Sequence, residues 1–289
     1  MPYTALADQL LHTSTEELTT DQATALRRLA DYLSEPSPYA LFLLRGYAGT
    51  GKTFLLRLIT EAAIGAGLRV ELMASTGRAA KVLSTTTGRQ ATTIHRTIYR
   101  ATTQMQEEGG AFQLASASSK QPTLFIVDEA SMITGDSSEA TPFGSGNLLD
   151  DLLAYVWSAD ESKLILVGDT AQLPPVGSSL SDALCPEVLS SRYGMTIYEA
   201  SLRQIVRQKK GGILHNATCL RELIDSSEDE DAEELLPIHL ETEGWRGISC
   251  VEHGLVLETI EAAYDRYGME ECLLICPSNK RALEPVSYT

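Results

Sequence analysis

Long apolar runs are missing from this sequence of 289 residues. No stretch reaches the roughly 18 consecutive apolar residues that a membrane-spanning helix needs, so we expect no membrane partner. Residues 1–10 lack a basic start followed by an apolar core. We therefore expect no signal peptide, and a cytoplasmic protein is the simplest prediction.

Cysteine is also scarce, and its spacing carries little chemistry. The sequence has five cysteines: Cys185, Cys219, Cys250, Cys272 and Cys276. None forms a C-x-x-C pair, which argues against a zinc site. We expect reduced, mostly buried thiols, because reducing compartments keep cysteines unpaired.

Positive charge is in short supply, with 23 Lys and Arg against 39 Asp and Glu and a net charge of −16. The sum argues against a nucleic-acid partner. The distribution does not, because residues 78–100 hold five cations and no carboxylate. Such a local basic stripe attracts phosphates even on an acidic protein. Seven carboxylates crowd between Asp225 and Glu234, where we expect a solvated loop.

Short apolar runs alternate with helical patterns along most of the chain. The strand candidates are residues 41–45, 68–74, 123–127, 163–167, 195–198 and 271–276, and the helix candidates are residues 20–34, 52–65, 77–84, 147–157 and 212–224. This alternation predicts an α/β fold, a parallel sheet with helices on both faces. We place a boundary near residue 200, which gives domains 1–200 and 201–289, with a small hairpin inserted at residues 101–121.

Residues 46–53 match G-x-x-x-x-G-K-[ST] between a predicted strand and a predicted helix, which is the context that this motif requires. The glycines allow backbone N–H groups to surround a phosphate, and the helix N-terminus faces the same anion. Lys52 is predicted to reach the β- and γ-phosphates, and Thr53 to bind Mg²⁺. The predicted nucleotide-binding residues of this loop are Gly46, Ala48, Gly49, Thr50, Gly51, Lys52 and Thr53.

Two other predicted strands end in polar residues that suit hydrolysis of a triphosphate. Asp128 would hold Mg²⁺ through water, and Glu129 would polarise the attacking water. Gln172 follows the next strand, and its amide can bond both a γ-phosphate and a water, which makes it a candidate sensor of hydrolysis. The alternatives stay open: solvated acids at a strand end, and a turn whose glutamine has no role.

These motifs together resemble the superfamily-one DNA helicases, in the RecD-like and Dda-like branch that moves 5′ to 3′ on single strands. Residues 18–22 resemble the Q motif of that family, residues 74–81 its motif Ia, residues 92–96 the next DNA-contacting motif, and residues 202–208 its motif IV. The resemblance runs from about residue 19 to residue 282. It implies a P-loop NTPase fold with a RecA-like sheet, followed by the start of a second RecA-like domain.

The resemblance also implies roles for single residues. Gln22 would read adenine, unless it is a surface residue near a helix start. Arg207 would be an arginine finger supplied from the second domain, with Arg203 as the rival. The implied DNA-binding residues are Thr76, Arg78, Lys81, His95 and Arg96, and a purely structural role for His95 stays open.

The implied activity is ATP- and Mg²⁺-dependent 5′-to-3′ helicase action, with hydrolysis coupled to single-stranded DNA. The hairpin at residues 101–121 would split the duplex. A monomer that works with recombination or repair proteins is expected. No segment matches the later motifs of the family, so we expect an incomplete second domain, in either a fragment or a naturally short protein. The alternatives are a nucleotide-dependent DNA-binding switch and an inactive fragment.

Overall fold

The computed structural model describes residues 2–12, 18–101, 112–117, 119–135, 142–172, 181–206, 211–227, 238–245 and 247–276. The chain divides into two compact units, Met1–Gln208 and Lys209–Thr289. The predicted boundary near residue 200 falls inside a strand, Thr196–Leu202, that belongs to the sheet of the first unit. The boundary between the two units therefore lies after this strand, at residue 208.

The first unit contains a sheet of six parallel strands and a separate two-stranded hairpin. The sheet strands are β1 (Ala40–Gly46), β2 (Arg69–Ala74), β3 (Ala91–Thr93), β6 (Thr123–Asp128), β7 (Ser162–Gly168) and β8 (Thr196–Leu202), and the hairpin strands are β4 (Tyr99–Ala101) and β5 (Phe112–Leu114). The order across the sheet is β3-β2-β6-β7-β1-β8, so β7 lies between β1 and β6. The predicted parallel sheet is confirmed.

Helices cover both faces of this sheet. They are α1 (Pro2–Leu11), α2 (Thr20–Ser34), α3 (Lys52–Gly65), α4 (Gly77–Thr87), α5 (Ile94–Ile98), α6 (Leu148–Trp157) and α7 (Pro186–Tyr193). Local signals set several of their ends. The Asn147 side chain caps the start of α6, and α7 begins with Pro186 and ends at Gly194 in the left-handed region.

Alternating side chains of the strands build two cores, one on each face. On β1, Phe42 and Leu44 pack toward α1, α2 and α3, whereas Leu41 and Leu43 pack toward α5 and α6. These four side chains are at most 1% exposed. Burial of each contributes roughly 1.5–3 kcal/mol, so the sheet is stabilised from both sides and its carboxyl edge is held rigidly.

The predicted hairpin forms, but it begins earlier than expected. Tyr99 of β4 pairs antiparallel with Leu114 of β5, and Ala101 pairs with Phe112. Residues 102–111 lie outside the described residues. The base of the hairpin therefore starts directly after α5.

The second unit contains α8 (Gly212–Ser227) and α9 (Val256–Tyr267). The strand predicted at residues 271–276 is wrong. Residues 272–276 have no regular structure, and within the described residues no neighbouring strand pairs with them. Leu273 and Ile275 are 71% and 84% exposed, which explains the error: an apolar run becomes a strand only where a partner strand satisfies its backbone.

Two expectations about composition can be compared with the structure. The five cysteines are free, but none is fully buried and Cys250 is exposed, so the expectation of mostly buried thiols is wrong. Among the described residues, no helix combines the length and apolar character needed to cross a membrane.

Candidate functional site: a nucleotide-binding edge and a basic edge

The parallel sheet brings the predicted motifs to a single edge. Because all six strands run the same way, their carboxyl ends meet there. β1 leads into the phosphate loop (residues 46–53), β6 into the acidic pair, and β7 into the turn that holds Gln172. The motifs of residues 74–81 and 92–96 follow β2 and β3, on the far side of β6. Predicted nucleotide and DNA contacts therefore occupy different halves of one edge.

The phosphate loop has the backbone that its glycines allow. Gly49 and Gly51 have φ of 82° and 86°, in the left-handed region. A side chain at Gly51 would also collide, because its Cβ would lie 2.5 Å from Nε2 of Gln22. Gly51 is the N-cap residue of α3 and has no side chain to cap it. The first N–H groups of α3 therefore have no side-chain cap, which suits an anion.

Lys52 folds back across the loop. Its Nζ donates to the carbonyl oxygens of Gly46 and Tyr47 at 2.6 and 3.1 Å. The hydroxyl of Thr50 donates to Tyr47 O at 2.7 Å, which closes the loop, and Thr53 lies half-buried in the first turn of α3. The ammonium is thus held against the backbone of the first two residues of the loop.

The first acid of the pair at the end of β6, Asp128, is buried and electrostatically unusual. Burial, and then the negative charge of Glu129, raise the pKa of Asp128 to about 6, against the opposing charge of Lys52. Asp128 accepts a hydrogen bond from the Glu129 N–H at 2.9 Å. The phosphate loop after β1 and the acidic pair after β6 leave the same edge of the sheet, on either side of β7.

Glu129 has a strained backbone and a carboxylate oxygen without a partner. Its φ and ψ are 54° and 42°, in the left-handed region that non-glycine residues rarely adopt. Its backbone carbonyl accepts a hydrogen bond from the Ser75 hydroxyl at the end of β2. Its Oε2 is buried, and no residue in the described part of the chain forms a hydrogen bond with it. Strain and an unsatisfied acidic oxygen coincide at this residue, which is typical of a functional site.

Gln172 is tied to the acidic motif by a residue that the sequence reasoning missed. The Ser131 hydroxyl donates to Oε1 of Gln172 at 3.1 Å, and the Gln172 N–H donates to Asp169 O at 3.2 Å. The side chain is half-buried. The position of Ser131 directly after Asp128-Glu129-Ala130 was the available signal, since the next polar residue beyond a strand end faces the neighbouring strand end.

Gln22 has a different environment from the predicted one. Its side chain is 2% exposed. Its Oε1 accepts from the Thr19 N–H at 3.1 Å, and its Nε2 donates to Thr50 O in the phosphate loop at 3.0 Å. It is not a surface residue, and its amide is engaged within the protein. The T-x-x-Q spacing of a capping box was the sequence signal for this role.

The predicted arginine finger, Arg207, lies outside the described residues. Its role as an arginine finger therefore stays a prediction. Arg203, the rival, is exposed, and its backbone N–H is bonded to Asp21. Residues 203–206 lie beside the phosphate loop, because the Val206 N–H donates to Gly49 O at 2.9 Å.

The half of the carboxyl edge that follows β2 and β3, called the basic edge below, has exposed cations beside the starts of two helices. Thr76 and Thr93 are the N-cap residues of α4 and α5, and their hydroxyls accept the N–H groups of Ala79 and Arg96. The three cations predicted to bind DNA are exposed, namely Arg78, Lys81 and Arg96. Both motifs thus present positive charge at adjacent strand ends, where phosphates can be bound.

His95 lies in an aromatic cluster. Its ring centroid is 5.2 Å from that of Phe143 and 5.7 Å from that of Tyr99, and Phe143 stacks on Phe112 of the hairpin at 4.6 Å. Burial lowers the pKa of His95, so the neutral ring is favoured. This packing favours the structural role that the sequence left open.

The phosphate loop between β1 and α3, with a buried acid at the end of β6, defines a P-loop nucleotide-binding protein with a RecA-like fold. Residues 17–234 match the protein family described as AAA domain, and the chain belongs to that family.

A curated relative agrees with the resemblance carried by the motifs. The chain is 32% identical over 201 residues to the ATP-dependent RecD2 DNA helicase of Deinococcus radiodurans. The match covers 68% of this chain and 24% of that protein, so the chain spans about a quarter of the relative. The resemblance to RecD-like helicases is confirmed.

Two solved structures of Pif1 helicases are also similar. The Candida albicans structure has a TM-score of 0.45 at 23% identity and covers 71% of this chain and 44% of its own. The Bacteroides structure in complex with ADP-AlF3 and single-stranded DNA has a TM-score of 0.44 at 19% identity, covering 89% of this chain and 58% of its own. Likeness at this level decides nothing about function.

Proposed function

We propose that this chain is the ATPase part of a RecD-like DNA helicase, which hydrolyses ATP with Mg²⁺ and couples hydrolysis to single-stranded DNA. The observation that carries the proposal is the state of Glu129. A buried carboxylate oxygen that receives no hydrogen bond from any described residue is costly, and so is a left-handed glutamate. Both costs are explained if this oxygen accepts a proton from an attacking water.

The phosphate loop would receive the β- and γ-phosphates of ATP, and Lys52 would exchange its two carbonyl contacts for phosphate oxygens. Thr53 and Asp128 are the residues that fit Mg²⁺, which when bound would neutralise charge on the phosphates. Ser131 would keep the Gln172 amide directed at the water. Arg207 would stabilise the charge that spreads over the transferred phosphoryl group.

The basic edge would hold a single strand by its backbone. Thr76, Arg78, Lys81 and Arg96 would contact phosphates, so binding would be independent of sequence and sensitive to salt. The movement from 5′ to 3′ and the role of the hairpin in splitting duplex come from the resemblance. A cytoplasmic monomer acting with recombination or repair proteins completes the proposal.

The second candidate is a nucleotide-dependent DNA-binding switch that does not unwind. The net charge of −16 favours it, because the protein repels the DNA phosphates. A motor must stay bound to DNA through many steps against this repulsion, whereas a switch needs only a single binding event. A strand-displacement assay with 5′-tailed and 3′-tailed duplexes separates the two candidates. ATP-dependent displacement of the 5′-tailed duplex alone supports the helicase, and DNA-stimulated hydrolysis without displacement supports the switch.

Glu129→Gln tests the hydrolytic site. Glutamine has the same shape but cannot accept the proton, so kcat should fall by at least about 100-fold while ATP still binds. Lys52→Ala should abolish hydrolysis through loss of the phosphate contact. Turnover and the binding of a fluorescent ATP analogue are both measured, with and without Mg²⁺.

Glu161→Gln is the matched control. Glu161 is the other non-glycine residue with positive φ among those described, at 49°, but its side chain is exposed at the opposite edge of the sheet. The Glu161→Gln variant should hydrolyse ATP at the wild-type rate. Wild-type turnover in Glu129→Gln or in Lys52→Ala would remove the proposed site.

A further inference from the structure

The segment that follows β8 is bonded directly to the phosphate loop. The Tyr47 N–H donates to Leu202 O at 3.3 Å, and the Val206 N–H donates to Gly49 O at 2.9 Å. Gly49 is one of the two left-handed glycines of the loop. Residues 202–206 therefore run alongside the turn that would surround the phosphates.

One carboxylate holds the middle of this segment. Oδ2 of Asp21 accepts the N–H groups of both Arg203 and Gln204, at 2.8 and 2.9 Å. Hydrogen bonds to an ionised carboxylate are roughly twice as strong as neutral ones, so this contact restrains two successive peptide units. The side chains of residues 203–206 are exposed, which leaves these backbone bonds as the anchors that the structure describes.

Asp21 stands in the first turn of α2, next to the residue that holds the loop itself. Gln22 Nε2 donates to Thr50 O at 3.0 Å, while Asp21 bonds the segment after β8. Two neighbouring residues of one helix start thus connect the phosphate loop to the strand that leads out of the sheet. A shift of α2 would displace both at once.

We infer that Asp21 is a positioning residue for ATP hydrolysis, which sets where the chain enters the motif that contains Arg207. Arg207 is the next residue in the sequence after Val206. The inference rests on the proposed function, in which Arg207 acts on the γ-phosphoryl group. Misplacement by about 1 Å of a group acting on the reaction can cost up to about 100-fold in rate. In the structure, Asp21 accepts hydrogen bonds from two backbone N–H groups.

The rival explanation is that Asp21 only stabilises α2, since an acid in the first turn favours the helix dipole. The two explanations differ in what they predict for rate and affinity. Loss of a positioning residue lowers kcat and leaves nucleotide affinity unchanged. Loss of a helix-stabilising residue lowers thermal stability and leaves kcat unchanged at temperatures where the protein is folded.

The test compares Asp21→Ala and Asp21→Asn with Asp31→Ala in the full chain. Asp31 is an exposed carboxylate on the same helix. We expect kcat for ATP to fall about tenfold in Asp21→Ala, equivalent to about 1.4 kcal/mol, with the Kd of a non-hydrolysable ATP analogue within about twofold of wild type. Asp21→Asn should be intermediate, because its amide oxygen still accepts but carries no charge. Asp31→Ala should behave as wild type.

Amide hydrogen exchange provides a readout that does not depend on hydrolysis. The amides of Arg203 and Gln204 should exchange faster in Asp21→Ala, while the interior of α2 keeps its protection. Unchanged exchange at both amides, or unchanged kcat with faster exchange, overturns the inference. So does a loss of affinity equal to the loss of rate. If the wild type hydrolyses no ATP, the proposed function fails; if it does and Asp21→Ala matches it, this inference alone fails.

Discussion

Asp128→Asn should stabilise the nucleotide-free protein at neutral and alkaline pH. Burial, together with the charge of Glu129, raises the pKa of Asp128 from 3.8 to about 6. The native state therefore holds this proton more tightly than the unfolded chain does. The stabilisation from the protonated carboxyl is complete below about pH 4 and is lost as the pH rises through about 6.

The size of the effect follows from the shift. A rise from 3.8 to about 6 corresponds to about 3 kcal/mol of destabilisation once the carboxyl is ionised. Asparagine removes this charge and can still accept from the Glu129 N–H, which lies 2.9 Å from Oδ1. It also buries an NH₂ group, so we expect a net gain of about 1–3 kcal/mol at pH 8. For a unit of this size that corresponds to a Tm higher by about 2–10 °C.

The pH dependence is the sharper measurement, because asparagine does not titrate and its burial cost is constant. Between pH 8 and pH 5 the wild-type protein regains about 1.4 kcal/mol by protonating Asp128, so the advantage of the variant should shrink by that amount. Urea unfolding at both pH values, without nucleotide or Mg²⁺, checks this. Asp31→Asn, at an exposed site, is the control. An advantage that stays constant or grows at pH 5 would refute the reasoning.

Two further predictions concern packing and DNA. Gly144→Ala should destabilise the protein by about 2–4 kcal/mol in thermal unfolding, because its φ is +49° and its Cβ would lie 2.0 Å from Oδ2 of Asp151. Gly88→Ala, with φ of +64° and nothing within 4 Å, should cost only the backbone strain of about 1 kcal/mol, and equal losses would contradict the packing argument. Arg78→Ala should weaken single-stranded DNA binding equally for all sequences and lower the salt slope by about 1, measured by fluorescence anisotropy across NaCl concentrations. Arg27, exposed on α2, provides the matched variant Arg27→Ala, and an equal loss in both would exclude a specific role for Arg78.

Local signals predicted the elements that carry the site. The bounds expected for α2 and α3, residues 20–34 and 52–65, match those observed. These helices begin at a capping threonine and at a glycine-rich loop, and such signals act within a few residues. Some elements were missed, among them α1, β3 and α9. β3 has only three residues, which is too short for an alternating pattern to show.

The contacts around the loop were harder to foresee. Gln22 was expected to read adenine, and the structure bonds its amide to Thr50. Asp21 and Ser131 lie within recognised motifs, but the motifs assign no role to either of them, and Phe143 lies in no motif. Each of them acts on a residue far away in the sequence, and the residue type alone does not indicate such a partner.

The sequence by itself determined the local chemistry: a phosphate loop after one strand, acids after another, and a basic stripe between them. Only the tertiary structure decided how these are arranged. Strand pairing is non-local, so nothing in the runs themselves sets the order β3-β2-β6-β7-β1-β8. That order inserts β7 between the loop and the acids, and it buries Asp128 so that its pKa rises to about 6. It also places the basic motifs and the nucleotide-binding motifs on different halves of the carboxyl edge. The electrostatics of the site are therefore a property of packing, because burial removes the water that would otherwise solvate the acids.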